Sequence, residues 1–268
     1  MEYAFCQCVE MCESSKVRPS PPSNNTGVFY TFNLVLHCPD FVSISSMSKI
    51  WSTAKALGLK RLFYNVTNRF SGNKLSVSEG SLLESRDVKI RSSKIEIQGR
   101  DCHVSIGKGT YVLDSKIEVQ GTGCRLIIGS NVRIRHAHLL VQDTGTWLKI
   151  GEDTTMTGTR FMVAGSGVGI RIGKDCMIGL GVAIRSSDMH SILDIASGQR
   201  VNEDQTVSIG DHVWLGEATQ VMKGAEIGSD CVIGAGSLVL GHLAGQGRVY
   251  AGRPAREVRS GVTWDRAR

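Results

Sequence analysis

His190 lies in the stretch "SSDMHSILD", residues 186–194, with Asp188 just before it and Asp194 just after. A carboxylate bonded to one imidazole nitrogen fixes the tautomer and leaves the other nitrogen as a proton acceptor near neutral pH. The chemistry on offer is removal of a proton from a weak nucleophile as it attacks. Against it stands the plain reading of a surface histidine in a polar loop, and these residues alone do not separate the two. Other catalytic chemistries find less support. Of eight cysteines only Cys6, Cys8 and Cys12 cluster, and neither a CxxC pair nor a His pair at zinc-finger spacing occurs, so no metal site is expected. No Cys or Ser has the setting of a covalent nucleophile. The glycines of "VSIGKG" and "RIGKD" are turn residues and no phosphate loop, because no Gly-Lys-Ser/Thr follows.

The elements that must hold His190 are written in an internal repeat. "SKIEIQGRDCHVSIGKGTYVLD" (93–114) is followed by "SKIEVQGTGCRLIIGSNVRIRH", "AHLLVQDTGTWLKIGEDTTMTG" and "TRFMVAGSGVGIRIGKDCMIGL", and the Ile-Gly pairs end at Gly107, Gly129, Gly151 and Gly173, 22 residues apart each time. Apolar residues alternate within each copy, as strands of four to six residues require. Cys102 and Cys124 occupy equivalent places and are expected to be buried thiols of the interior. From Ile209 the period falls to six, with Ile209, Leu215, Val221, Ile227 and Ile233 in the first position. The fifth position holds Val213, Thr219, Ala225, Cys231 and Ser237, all small or modest in size. Three such units make one turn of a triangular solenoid whose aliphatic residues fill the interior. The 22-residue copies then read as the same coil with about four extra residues in a turn. A packed interior hosts no reaction, so chemistry belongs to the outer faces, to inserted loops or to the space between subunits. His190 falls in the one long interruption, about residues 185–208, which is polar and too long for a routine turn.

The six-residue pattern resembles the hexapeptide-repeat acyltransferases, and the resemblance covers roughly residues 48–266. It implies an all-β fold, a left-handed parallel β-helix; the hand comes from the resemblance alone, since parallel crossovers elsewhere are right-handed. "SSDMHSILD", with the Trp214 of "DHVWLG" 24 residues beyond His190, is similar to the sugar O-acetyltransferase branch. There a Ser-Asp-x-His segment supplies the base and the tryptophan packs beside the acetyl-donor site. "VIGAGSLVLGHL" and "VYAGRPAREVR" look like the family's acetyl-CoA channel, which implies donor contacts from Trp214, Gly216, Gly234, Ala235, Ser237, Arg253, Arg256 and Arg259. Arg256 and Arg259 suit the phosphates of coenzyme A, because a guanidinium fork matches phosphate oxygens. Leu240 and Gly241 depart from the Thr-Lys of many relatives. The lack of a covalent-nucleophile setting points to direct attack in a ternary complex, and the resemblance further implies an oxyanion held by a backbone N–H and a homotrimer with active sites between subunits. The acceptor it implies is a sugar hydroxyl of a capsule or lipopolysaccharide.

Residues 1–46 are polar and proline-rich in part and are expected to be a disordered or dispensable extension. Residues 47–70, with Ile50, Ala54, Leu57, Leu62 and Phe63, suggest a short amphipathic helix. The β-helix is expected over 71–252 and a C-terminal tail over 253–268. The net charge of +6 is interspersed, which suits an anionic ligand or simple solubility and shows no nucleic-acid stripe. No apolar run is long enough to span a bilayer and no secretory signal is evident, so the expected compartment is the cytoplasm. His103, His136 and His138 are expected to be surface or inter-chain residues, and His212 adjoins Trp214. The alternatives are an N-acyltransferase on an amino sugar nucleotide, a serine acetyltransferase, a zinc β-helix of the γ-carbonic anhydrase type and a non-catalytic scaffold.

Overall fold

The computed structural model describes residues 72–85, 87–243 and 245–267, so the extension and the helix expected over 1–46 and 47–70 lie outside the described residues. Each coil lays one short strand on each of three faces. The first face stacks eight strands from Lys74–Val77 to Leu238–Val239, and the second stacks eight from Leu82–Ser85 to His242–Leu243. The third runs from Lys89–Arg91 to Arg248–Gly252 and is closed by the antiparallel strand Ala255–Ser260. Every pairing between coils is parallel and in register, so Ile95, Ile117, Leu139, Phe161, Ile184, Val221 and Val239 form one continuous interior column. Backbone N–H and C=O groups are thereby satisfied coil by coil, which a strand of two or three residues does not achieve alone.

The interior follows the repeat. All five first-position aliphatics from Ile209 to Ile233 are buried, and so are all five fifth-position residues from Val213 to Ser237. The thiols of Cys102, Cys124, Cys176 and Cys231 are free and buried. Burial pushes the Cys176 thiol up to about 11, which marks it as inert packing. The surplus of the longer coils is spread unevenly. From strand start to strand start they take nine, eight and five residues between Lys94 and Arg160, where the step from Trp214 to Leu238 is six each time. Most of the enlargement lies between the first and second faces. There Gly121 sits at φ +113°, and an added Cβ would fall 2.1 Å from the carbonyl oxygen of Asp143. Phe161 is the largest fully buried side chain, at 0% exposure. Phe161→Ala is expected to cost about 3–5 kcal/mol in chemical denaturation, because packed neighbouring coils collapse little into the cavity.

The C-terminal residues form more than a tail. After the hairpin, Trp264 stacks on His212 with ring centroids 4.3 Å apart and donates its Nε1–H to the His212 carbonyl at 2.8 Å. Arg266 donates to Asp175 Oδ1 at 3.0 Å, to Thr155 Oγ1 at 2.8 Å and to the Cys176 carbonyl at 3.1 Å. The segment therefore straps the corner between the second and third faces.

Candidate active site

The loop leaves after Ala183–Arg185 on the first face and rejoins at Val207–Ile209 on the second. It thus occupies the corner that the preceding coils have already enlarged. Its base stacks on those coils: Ser186 Oγ donates to the Ala164 carbonyl at 2.8 Å and accepts the Ala164 N–H at 3.0 Å. Arg200 forks onto Asp204 at 2.9 and 3.2 Å. A polar cavity of about 230 Å³ lies at this base, lined in part by Asp143, Ser187, Met189, Arg200 and Asp204.

Asn202 pins the chain around His190. Its Nδ2 donates to the His190 carbonyl at 2.8 Å and to Asp188 Oδ2 at 2.9 Å, while its Oδ1 accepts the Ile192 N–H at 2.7 Å and Arg200 Nε at 3.2 Å. Lys223, from the next coil, completes the clamp. Its Nζ reaches Asp188 Oδ2 at 2.7 Å and donates to the Asn202 carbonyl at 2.8 Å. Met189, at φ +68°, turns the chain between the half-buried Asp188 and the exposed His190.

This arrangement corrects one expectation. Among the described residues neither Asp188 nor Asp194 is hydrogen-bonded to the His190 ring. Asp188 serves Lys223 and Asn202, and Asp194 accepts the Ser197 N–H at 2.8 Å and Ser197 Oγ at 2.7 Å to close a local turn. The carboxylates near His190 in sequence hold the loop, and the ring faces outward. Hydrogen bonds from Lys223 and Asn202 keep the Asp188 carboxyl below the usual carboxylate range. A folded-state pKa below the unfolded one gives stability that is present above the unfolded value of about 4 and lost as pH falls through the folded value. Proteolysis within 186–206 is therefore expected to accelerate as pH drops below about 4, and a Lys223→Met variant should already be cut faster at neutral pH.

The residues expected on the donor side divide into two groups. Trp214, 38% exposed, lies on the third face with Trp264 6.2 Å away, centroid to centroid. Gly216, Gly234 and Ala235 form the corner between the third and first faces, where a Cβ on Gly216 would fall 2.6 Å from the Ala235 nitrogen. Arg253, Arg256 and Arg259 stand exposed beside this end, and among the described residues none has a carboxylate partner. Ser237 does not join them. It is fully buried, its Oγ donates to the Gly234 carbonyl at 2.6 Å and accepts the Gly252 N–H at 3.2 Å, so its hydroxyl is internal. Its fifth place in the six-residue unit points it inward. His190 and Trp214 are also not brought together. The loop emerges between the first and second faces, and the third face lies opposite that corner.

The repeat histidines pair locally: His103 with Glu84 at 3.2 Å, His138 with Glu118 at 2.6 Å and His136 with Asp114 at 3.8 Å. His212 Nδ1 meets Asp230 Oδ1 at 3.0 Å beneath Trp264. No trio of His, Cys, Asp or Glu among the described residues is grouped to hold a metal ion, and no described helix is long and apolar enough to cross a membrane.

Comparison with known proteins bears on the whole arrangement. Residues 206–241 match the family model "Bacterial transferase hexapeptide (six repeats)", and 164–186 match "Hexapeptide repeat of succinyl-transferase". The chain is 45% identical to a polysialic acid O-acetyltransferase of Neisseria meningitidis over 49 residues, 18% of this chain and 23% of that one. It is 38% identical to the putative lipopolysaccharide biosynthesis O-acetyl transferase WbbJ of Escherichia coli K12 over 77 residues, 29% of this chain and 39% of that one. The matched stretches thus span well under half the length of these curated relatives. The structure of the polysialic acid O-acetyltransferase OatWY aligns with a TM-score of 0.69 at 28% identity, covering 73% of this chain and 92% of that one. The polySia-specific acetyltransferase NeuO aligns with a TM-score of 0.54 at 25% identity, covering 73% and 88%. The all-β solenoid is the left-handed parallel β-helix of these enzymes; the rhythm led us to expect the solenoid and the resemblance its hand. The chain thus carries the hexapeptide repeat of bacterial transferases over 206–241 and is similar in fold to the polysaccharide O-acetyltransferases.

Proposed function

We propose that the chain moves an acetyl group from acetyl-CoA to a sugar hydroxyl of a capsular or lipopolysaccharide-type polymer, with His190 as general base. The observation that carries this reading is an exposed imidazole on a clamped loop, separated within one chain from the donor-side residues around Trp214. Such a division supports a homotrimer in which the loop of one copy meets the third face of its neighbour. The loop presents Ile192, Leu193, Ile195 and Val201 to solvent, an apolar surface suited to that contact. The acceptor oxygen attacks the thioester carbonyl as its proton passes to His190. The tetrahedral oxyanion is met by a backbone N–H, the C–S bond breaks, and the imidazolium returns the proton to the departing thiolate. Arg253, Arg256 and Arg259, exposed and without a carboxylate partner among the described residues, suit the donor's phosphates, and use of acetyl-CoA as donor favours the cytoplasm.

Acetyl-CoA consumption measured against a panel of sugars and polysaccharides tests the reading. The product should be an ester that hydroxylamine cleaves at mildly alkaline pH; a resistant amide would instead mark an N-acyltransferase. Arg256→Ala combined with Arg259→Ala is expected to raise KM for acetyl-CoA on the order of tenfold with kcat little changed. An unchanged KM would remove these arginines from the donor site.

A further inference from the structure

The third face carries a feature that acetyl transfer to a small sugar does not need. Its outward side chains stack in columns fixed by strand register. Lys89 lies over Tyr111, Tyr111 over Arg133, Arg133 over Thr155, Thr155 over Met177 and Met177 over Trp214. A second column beside it holds Arg91, Leu113, Arg135 and Thr157. Lys89, Arg91, Arg133 and Arg135 are all exposed, and among the described residues none has an acidic partner. The other faces mix the signs of charge, although the second also bears Arg125, Lys149 and Arg171 without an acidic partner among the described residues. On the first, Lys94 pairs with Glu96, and both Lys116 and His138 pair with Glu118. On the second, Glu84 and Glu226 pair with His103 and His242. The parallel strands of the third face, from Lys89–Arg91 to Val232–Ile233, contain no Asp or Glu. Coils stack about 4.8 Å apart, so the five steps from Lys89 to Trp214 span about 24 Å. The strap of Trp264 and Arg266 runs along one flank of this column and gives it a wall.

We propose that the third face is a track for an acidic polysaccharide, which lies along the Lys89 to Trp214 column and delivers its hydroxyl to the end marked by Trp214. Unpaired guanidinium groups meet the carboxylates of successive sugars, Tyr111 and Trp214 offer flat apolar surface to sugar rings, and the strands add no carboxylate of their own, while Asp175 at the flank is held by Arg266. A polymer so held stays engaged while successive units reach the reacting end. The delivery half of this proposal rests on the acetyl-transfer reading; the binding half does not.

The test uses the full chain and end-labelled polysialic acid of graded length, read by fluorescence anisotropy, with acetyl-CoA turnover measured separately. Affinity should rise with chain length until about 24 Å is covered, weaken with added salt and be absent for a neutral dextran. Arg133→Ala combined with Arg135→Ala should raise Kd for the longer chains at least about tenfold, with KM for acetyl-CoA and the thermal transition unchanged. Arg125→Ala combined with Arg171→Ala, which removes two cations from the second face, should leave Kd as it was. The proposal is overturned if the Arg133 and Arg135 pair has no effect, if the second-face pair has an equal one, or if a DNA oligonucleotide of similar length competes equally well. Intact track binding without turnover would sink the acetyl-transfer reading alone, whereas turnover on short acceptors without track binding would sink this one.

Discussion

His190→Ala is expected to lower kcat by about 10² to 10⁴ while leaving the state of assembly and the unfolding transition as they are in the wild type. The size follows from the role: a positioned base removes the hydroxyl proton as the C–O bond forms, and water in the same place does so poorly. Structural neutrality follows from the site. The ring is exposed and makes no hydrogen bond among the described residues, and the hydrogen bond at this position is accepted by the backbone carbonyl, which alanine retains. Steady-state acetyl-CoA consumption with a saturating acceptor, beside a denaturation curve, provides the check. KM for acetyl-CoA should move little, because the arginines proposed to meet its phosphates lie elsewhere. Wild-type turnover in this variant would leave a β-helical scaffold as the better description.

Asn202→Ala should have the second-largest effect, a loss in kcat of about 10- to 100-fold without any change in the reacting groups. Asn202 holds Asp188, the His190 carbonyl and the Ile192 N–H together, so its loss frees the segment that aims the imidazole. A base displaced by about 1 Å already forfeits much of its advantage. Global unfolding should change by no more than about 1–2 kcal/mol, since the clamp lies on an exposed loop and leaves the interior intact. Asn202→Asp separates geometry from charge. It keeps the acceptor for the Ile192 N–H but sets a second carboxylate against Asp188, so it should resemble alanine in kcat and add a steeper fall in loop protection at neutral pH. Both variants retaining full kcat would show that the loop is ordered by other contacts, such as those with a neighbouring subunit.

The coils were open to reading because burial imposes its period directly on the chain. Ile209, Leu215, Val221, Ile227 and Ile233 recur every sixth residue and all are interior, as are the thiols at Cys102 and Cys124. The loop was visible as the break in that rhythm, and its bounds sharpen from about 185–208 to 186–206. The clamp was not legible. Asp188 meets Lys223, a third-position residue of the "VMKGAE" unit, and Asn202, which lies 14 residues away. Pairings across coils depend on which corner a loop leaves from, and no local spacing records it. Ser237 shows the opposite failing, since its fifth position already directed it inward. The separation of His190 from Trp214 was likewise implicit in the coil count, because a sequence spacing of 24 residues that includes an extruded loop says little about the face on which each residue lands.

The strap at the C-terminal end alters how the solenoid comes apart. Coils otherwise touch only their nearest neighbours, so an end coil should open first and open cheaply, and here the end coil is the proposed donor end. Arg266 instead grips Thr155, Asp175 and the backbone of Cys176, whose coils lie several turns inward, while Trp264 covers His212 on the way. Fraying of the last coil must therefore break contacts to coils that are themselves still closed. Amide exchange near Trp214 and Tyr250 is in this way tied to the opening of the middle of the helix, and the proposed donor end is spared from being the softest part of the molecule.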